Sequence, residues 1–286
     1  MIPSLPQPRA YRVTYKVYVT LFFVYLIAPL LVVAVFAFND SLFPSLPWNG
    51  FTLDWFIGRE QPRLGIFYDD PLLKSISTSA WVAVWVTLLS LLVGTCNAFL
   101  FEREQFPFRN LLYMLMLTPL VIPGVILGIS ILIFSNSLVN GIEELFGYEM
   151  ETLRPGLALV VAGQFAFITT IATLVISARL RKFDASLEEA AMNLGASKLT
   201  AVFTITIPYL SPALLGAGIV AFLMSFENFN TTLMLVGSDA PLTITMFDRL
   251  REGSTPALNA VSLLLMAASG TLALFSILVQ GGKDDV

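Results

Sequence analysis

The sequence contains no histidine and a single cysteine, Cys96. Without histidine it lacks the commonest general base and the commonest zinc ligand. One cysteine excludes an intrachain disulfide framework and any multi-cysteine metal site. Hydrolytic triads and dinuclear metal centres are therefore poor candidates, and Cys96 reads as a small apolar filler. Charge is scarce too. Asp, Glu, Lys and Arg make up 13% of the 286 residues, against about a quarter in soluble domains. A phosphate-binding loop is also missing. Gly195-Ala196-Ser197-Lys198 lacks the first glycine at the required spacing and is followed by Leu199. The chain is thus expected to bind no nucleotide, cofactor or metal of its own. The positive charge on its inner segments is modest and follows from membrane topology, so nothing points to nucleic-acid binding.

What is present is apolar: 56% of the residues are hydrophobic. Six runs are long enough to cross a bilayer core, which takes about 20 apolar residues. They are residues 17–38, 75–100, 111–139, 155–178, 209–236 and 256–280. All are free of charge except the fifth, which holds Glu227. Helix is the expected form, because backbone groups in lipid must be satisfied within the segment. The first run is too long and too evenly apolar for a cleaved signal and is read as a retained helix. The expected organisation is a segment 1–16, a six-helix domain 17–280 and a tail 281–286. Lys and Arg favour one side. With the N-terminus cytoplasmic, ten fall on inner segments and six on outer ones, and the outer face carries the acidic excess. Both termini are then cytoplasmic. The acidic outer mouth either concentrates a cationic solute or simply keeps the loops soluble.

Within the third run, Thr118-Pro119 and Ile122-Pro123 accompany Gly124 and Gly128 at small-xxx-small spacing. This pattern suits a bent, gating helix and suits ordinary close packing equally well. Gly216 and Gly218 in the fifth run read as close-packing sites.

The longest inner loop, residues 179–208, reads as a helix–turn–helix. Asp184 or Ser186 would cap a helix through Met192, with Glu188 and Glu189 favourable in its first turn. Gly195 would supply a left-handed stop. A second helix would begin at Ser197 and merge into the fifth run, with Pro208 marking the junction. The loop holds Glu189, Ala190, Ala191, Gly195, Ile205 and Pro208 in the pattern Glu-Ala-Ala, three residues, Gly, nine residues, Ile, one residue, Leu-Pro. Only Ile207 departs, standing for Leu. In this pattern the chain resembles the integral membrane subunits of binding-protein-dependent ABC importers. The resemblance implies an all-α integral membrane protein of the type I importer permease fold. The loop would be a coupling helix that docks on an ATPase subunit.

A narrower likeness covers nearly the whole chain. Phe38-Asn39-Asp40-Ser41, Trp48-Asn49-Gly50-Phe51-Thr52 with Trp55, Phe106-Pro107-Phe108-Arg109, and Gly253-Ser254-Thr255-Pro256-Ala257-Leu258-Asn259-Ala260 resemble the second permease of the spermidine/putrescine importers. What this implies is a set of partners: a homologous second permease, an ATPase pair holding ATP and Mg, a periplasmic binding protein and the bacterial inner membrane.

Glu227 lies in the fifth run, within Met224-Ser225-Phe226-Glu227-Asn228-Phe229-Asn230. A charge at the centre of a membrane helix costs at least about 2.5 kcal/mol, so it should face the protein interior or a water-filled path. Phe226 and Phe229 would shield it or hold an ammonium by cation–π contact. The other reading is a structural carboxylate bonded to a neighbouring helix. The polyamine branch tends to carry two consecutive acids here, and this chain has Asn228 as the second residue. One charge is missing, which leaves room for a mono-amine or an amino-acid derivative. The expected site residues for the solute are Glu227, Asn228, Phe226 and Phe229. Two readings from other classes stand beside the importer. A stand-alone secondary transporter or channel would use Glu227 as its ion site. An intramembrane enzyme would need a nucleophile–base pair, and none is seen.

Overall fold

In the computed structural model, residues 8–44, 46–147, 150–253 and 255–281 are described. Ser254 and the terminal stretches 1–7 and 282–286 of the sequence reading lie outside them. The elements in chain order are α1 (Arg9–Phe36), α2 (Asp54–Ile57), α3 (Asp70–Arg103), α4 (Arg109–Val121), α5 (Gly124–Phe146) and α6 (Leu157–Leu180). There follow α7 (Ser186–Asn193), α8 (Lys198–Ala201), α9 (Ile207–Phe226), α10 (Asn230–Leu235), α11 (Leu242–Glu252) and α12 (Pro256–Gly281). Among the described residues six helical stretches are long and apolar enough to cross a membrane, and no strand occurs beyond one bridge between Asn39 and Phe51. The all-α, six-span expectation is met.

Two of the six runs are not single helices. The third breaks at Ile122–Pro123. Pro123 has no N–H to continue the ladder, and Ile122 before it adopts an extended conformation. Both halves bond to α6 or to the residues just ahead of it. Thr170 of α6 donates to the carbonyl of Met116 in α4 at 2.8 Å, and Ser135 of α5 donates to that of Leu153 just ahead of α6. The fifth run ends at Phe226 and restarts as α10. The two breaks meet, with the Thr231 hydroxyl donating to the Gly124 carbonyl at 3.3 Å. Packing on this face of α5 is tight. A Cβ on Gly124 would lie 3.1 Å from that of Asn230, and one on Gly128 would lie 2.9 Å from that of Met234. Gly124 and Gly128 are therefore packing residues, and the bend belongs to the prolines.

The chain divides into two compact units. One holds the residues up to Asp70 together with Arg249–Ala268; the other runs Pro71–Asp248 and resumes at Ser269. In the first, α1 buries none of its most apolar window, as befits a surface made for lipid. The segment after α1 folds around Asn39, whose side chain accepts from the Asn49 N–H at 3.1 Å and whose carbonyl accepts from the indole of buried Trp55 at 2.9 Å. Phe38 stacks between Phe51 and Phe56, and Arg249 grips Asp69 through two bonds of 2.5 and 2.8 Å.

In the second unit α6 is the axis, with 61% of its most apolar window buried. One core cluster joins Val160 and Ile168 of α6 to Val82 and Val86 of α3, Ala221 of α9 and Leu235 of α10. A second, further along, joins Ala172 and Ile176 to Ala98, Leu210 and Ala217. Gly218 approaches Leu91 within 3.2 Å of where its Cβ would stand. Cys96 is exposed on α3 and fills no core, which corrects the filler reading.

Candidate functional site: a fastened loop and a broken helix

The loop between α6 and α9 folds much as its sequence suggests. The Asp184 carboxylate accepts from the Ser186 N–H at 3.0 Å, so Asp184 turns the chain into α7, although Ala185 holds the formal cap position. The Ser186 hydroxyl and N–H hold the Asp184 carboxyl below its ordinary value. Gly195 stops the helix at φ +94°. No atom would crowd a Cβ there, so the left-handed backbone alone calls for glycine. The Ser197 hydroxyl caps α8 by accepting from the Thr200 N–H at 3.1 Å. Between α8 and α9 the chain makes one π-helical turn, Val202–Thr206, just ahead of Pro208. Widening the helix there accommodates a ring that cannot donate and would clash with the preceding turn.

α7 inverts the usual surface pattern. Its acidic Glu188 is buried at 7% exposure, while Leu187, Met192 and, just beyond the helix, Leu194 stand out at 49%, 40% and 90%. Leu199 and Phe203 add 71% and 68%. These side chains form an exposed apolar cluster among the charged Arg181, Lys182 and Lys198. Glu189 and Ala190 are exposed on it, Ala191 and Ile205 are half-buried, and Pro208 is exposed at the start of α9.

Glu188 was not among the expected site residues. Its carboxylate takes Arg103 of α3 at 2.6 and 2.8 Å and accepts from the hydroxyl of fully buried Thr206. Burial by itself would raise its pKa. Hydrogen bonds from Arg103 and Thr206, with the charges of Arg103 and Lys198, outweigh that and hold the carboxyl below its ordinary value of 4.5. A lowered carboxylate pKa stabilises the folded state above the unfolded value and loses that contribution as pH falls through the folded one. Thermal unfolding of the detergent-solubilised subunit is therefore expected to show no loss from Glu188 between pH 8 and about 5, and a loss below about 4 that Glu188→Gln removes.

The second candidate region is the break between α9 and α10. Here the structure corrects the sequence reading. Glu227 is not at a helix centre. It occupies the C-cap of α9 with φ −91° and ψ 2°, and it is exposed in this subunit. Asn228 faces inward. Its side-chain oxygen accepts from the N–H and hydroxyl of Thr232 at 3.2 and 3.0 Å, and its carbonyl accepts from Thr243 at 3.0 Å. Phe226 stacks on Phe222 and Phe229 packs on Phe247 of α11, with ring centroids 5.9 and 5.0 Å apart.

The break is held from behind by Gln164 of α6, at 1% exposure. Its amide donates to the Thr232 hydroxyl at 2.9 Å, and its oxygen accepts from Ser225. Every member of this chain has a partner, the condition under which a buried polar network rigidifies instead of weakening a core. Gln164→Leu leaves Ser225 and Thr232 short of partners. It should lower stability by about 1–3 kcal/mol, read as a drop in the melting temperature of the solubilised protein.

The two regions are distinct. α9 lies between them, 20 residues or about 30 Å of helix.

A family model described as binding-protein-dependent transport system inner membrane component matches residues 88–282. That range contains the loop, α9 and the break. The chain belongs to this family. Within it, the putrescine transport system permease protein PotI of Escherichia coli K12 is 30% identical over 250 residues, covering 87% of this chain and 84% of the relative. The spermidine/putrescine transport system permease protein PotC of the same organism is 24% identical over 267 residues, 93% of each chain. Among solved structures, a bacterial ABC transporter involved in the import of the acidic polysaccharide alginate has a subunit that superposes with a TM-score of 0.70 over 96% of both chains, at 14% identity. That likeness fixes the fold. This member of the family is a multi-pass inner-membrane transport protein.

Proposed function

We propose that the chain is one of two permease subunits of an ATP-driven polyamine importer. A separate ATPase pair would sit beneath it, and a periplasmic binding protein would deliver the solute to its outer side. The exposed apolar surface around α7 carries the reading. It stands on a loop tied down on its inner side, with Glu189 and Ala190 facing outward. Docking of the ATPase on that surface lets closure of the ATPase pair move the membrane helices. In this reading both termini and the α7 loop are cytoplasmic, in line with the excess of Lys and Arg on those segments.

The solute would be an organic cation of the diamine or triamine class. The names of PotI and PotC support this, as does a carboxylate left exposed where two interrupted helices meet. Interrupted membrane helices are where transporters commonly bind solute, because their ends leave backbone dipoles unspent. The inward turn of Asn228 also changes the weight of the missing second acid. Its side chain holds α10 in place, so an Asn there says little about the charge of the solute. Phe226 and Phe229 would line the approach to Glu227 with their ring edges and faces.

Proteoliposomes holding this chain with its second permease, ATPase and binding protein test the reading. Uptake of labelled putrescine that requires both ATP and the binding protein is the expected result. Uptake driven by an ion gradient in the absence of ATP would replace it with a secondary transporter. Calorimetry on the binding protein gives a second check. Tight binding of an amino-acid derivative with polyamines ignored would overturn the solute class alone.

A further inference from the structure

The last turn of α3 carries an acid and a base side by side, and each reaches a different part of the α7 loop. Glu102 takes Arg181, one residue past α6, in a two-pronged pair with both distances 2.8 Å. This contact, led by the hydrogen bond that Arg181 donates to Glu102, raises the Arg181 pKa. Arg103 takes Glu188 in α7 and lies 5.4 Å from the ring centroid of Phe183. The side chains of Arg103 and Glu188 are only 24% and 10% exposed, so water screens the pair weakly and loss of one partner strands the other. The loop is covalently joined to α6 and α9. Its strongest polar fastenings nevertheless run to α3, 79 and 85 residues away in sequence.

The opposite end of α3 is fastened too. The Ser79 hydroxyl accepts from the buried Leu242 N–H at 2.8 Å, and Lys74 reaches Asp239 at 2.9 Å. Both contacts are to the segment that follows α10, on the far side of the break that exposes Glu227. From Lys74 to Arg103 the helix runs about 44 Å at 1.5 Å per residue, with no proline beyond Pro71. By contrast, a break at Ile122–Pro123 separates α4 from α5, and one at Glu227 separates α9 from α10. An interrupted helix bends under load, whereas a continuous one shifts as a body.

We propose that α3 is the strut that carries movement of the α7 loop to the segment beyond Glu227. Glu102 and Arg103 are positioning residues at its driven end, and Ser79 is one at its far end. The proposal rests on the importer reading above. It states which membrane helix receives the stroke: one that the loop meets only through side chains.

The test uses the complete complex in proteoliposomes with putrescine as the probe. Uptake and ATP hydrolysis are measured on the same vesicles, and retention of the ATPase is checked by co-purification. Arg103→Glu should lower solute moved per ATP at least about tenfold, within the range typical of coupling between sites, while hydrolysis continues. The exchange Arg103→Glu with Glu188→Arg should restore most of it. Ser79→Ala should lower the same ratio although it lies at the other end of the helix from the loop, a change that a purely local role for the loop fastenings would not produce. An unchanged ratio in Arg103→Glu overturns the proposal. So does a loss that the exchange fails to recover while the complex stays intact, or an unaffected Ser79→Ala. Failure of the importer reading itself would show separately, as ATP-independent uptake by the unaltered complex.

Discussion

Glu189→Arg is expected to insert into the membrane at the normal level and to lose at least about thirtyfold in uptake, as the ATPase no longer docks. The size follows from the cost of removing one partner of a buried interfacial charge pair, about 2–5 kcal/mol. The direction follows from position. Glu189 is exposed on α7, so its reversal does not strain the subunit, and the whole effect falls on whatever covers that surface. Its neighbour Glu188 has the same side chain and the opposite fate, because it is spent inside the chain on Arg103 and Thr206. The measurement is ATP-dependent uptake alongside co-purification of the ATPase with the variant. Normal uptake with the ATPase bound would remove Glu189 from the docking surface. Glu189→Gln should fall between the two, since it loses the charge and keeps the shape.

Glu227→Gln should reduce uptake of a diamine by at least about tenfold. A unit charge about 6 Å from an ammonium is worth about 3 kcal/mol at an effective dielectric near 20, and water in the path screens part of that. Tenfold, or about 1.4 kcal/mol, is what remains after a generous discount. Glu227→Lys should do more, since it replaces attraction with repulsion. Neither change should lower stability much, because Glu227 is exposed at a helix end. Uptake kinetics across putrescine, spermidine and an uncharged analogue provide the check. Equal losses for charged and uncharged solutes would make the carboxylate structural. A companion variant separates position from charge. Asn228→Asp restores the second acid, but its carboxylate would still accept from Thr232 as Asn228 does. It should leave diamine uptake unchanged. A marked gain would show that residue 228 meets the solute after all.

The correction at Glu227 has a simple origin. An apolar run fixes how much chain lies in lipid, and it says nothing about where the helix inside that run is interrupted. Residues 209–236 read as one span, yet Asn228 offers the N–H of Thr232 a side-chain acceptor, and the chain uses it to begin a new helix. Pro123 gave a local signal for the break in the third run. The break at Glu227 had a weaker one, the polar pair Glu227-Asn228 followed by Asn230, which also fits a continuous helix with a polar face.

By itself the sequence determined the class of the molecule, the number of crossings, the outline of α7 and α8, and the left-handed turn at Gly195. Each of these is settled by neighbouring residues. Lipid demands long apolar runs, a serine hydroxyl caps the helix just after it, and only glycine takes the backbone of residue 195 without strain. Tertiary structure alone decided which polar residues face inward. Gln164 sits in a charge-free span and looks like a stray polar residue until α9 and α10 bring Ser225 and Thr232 to it. Glu188 and Glu189 are adjacent and chemically identical, and only the approach of Arg103 draws one into the interior and leaves the other exposed. Pairings across tens of residues depend on which helix faces meet. That is a property of packing, which no single stretch of sequence encodes.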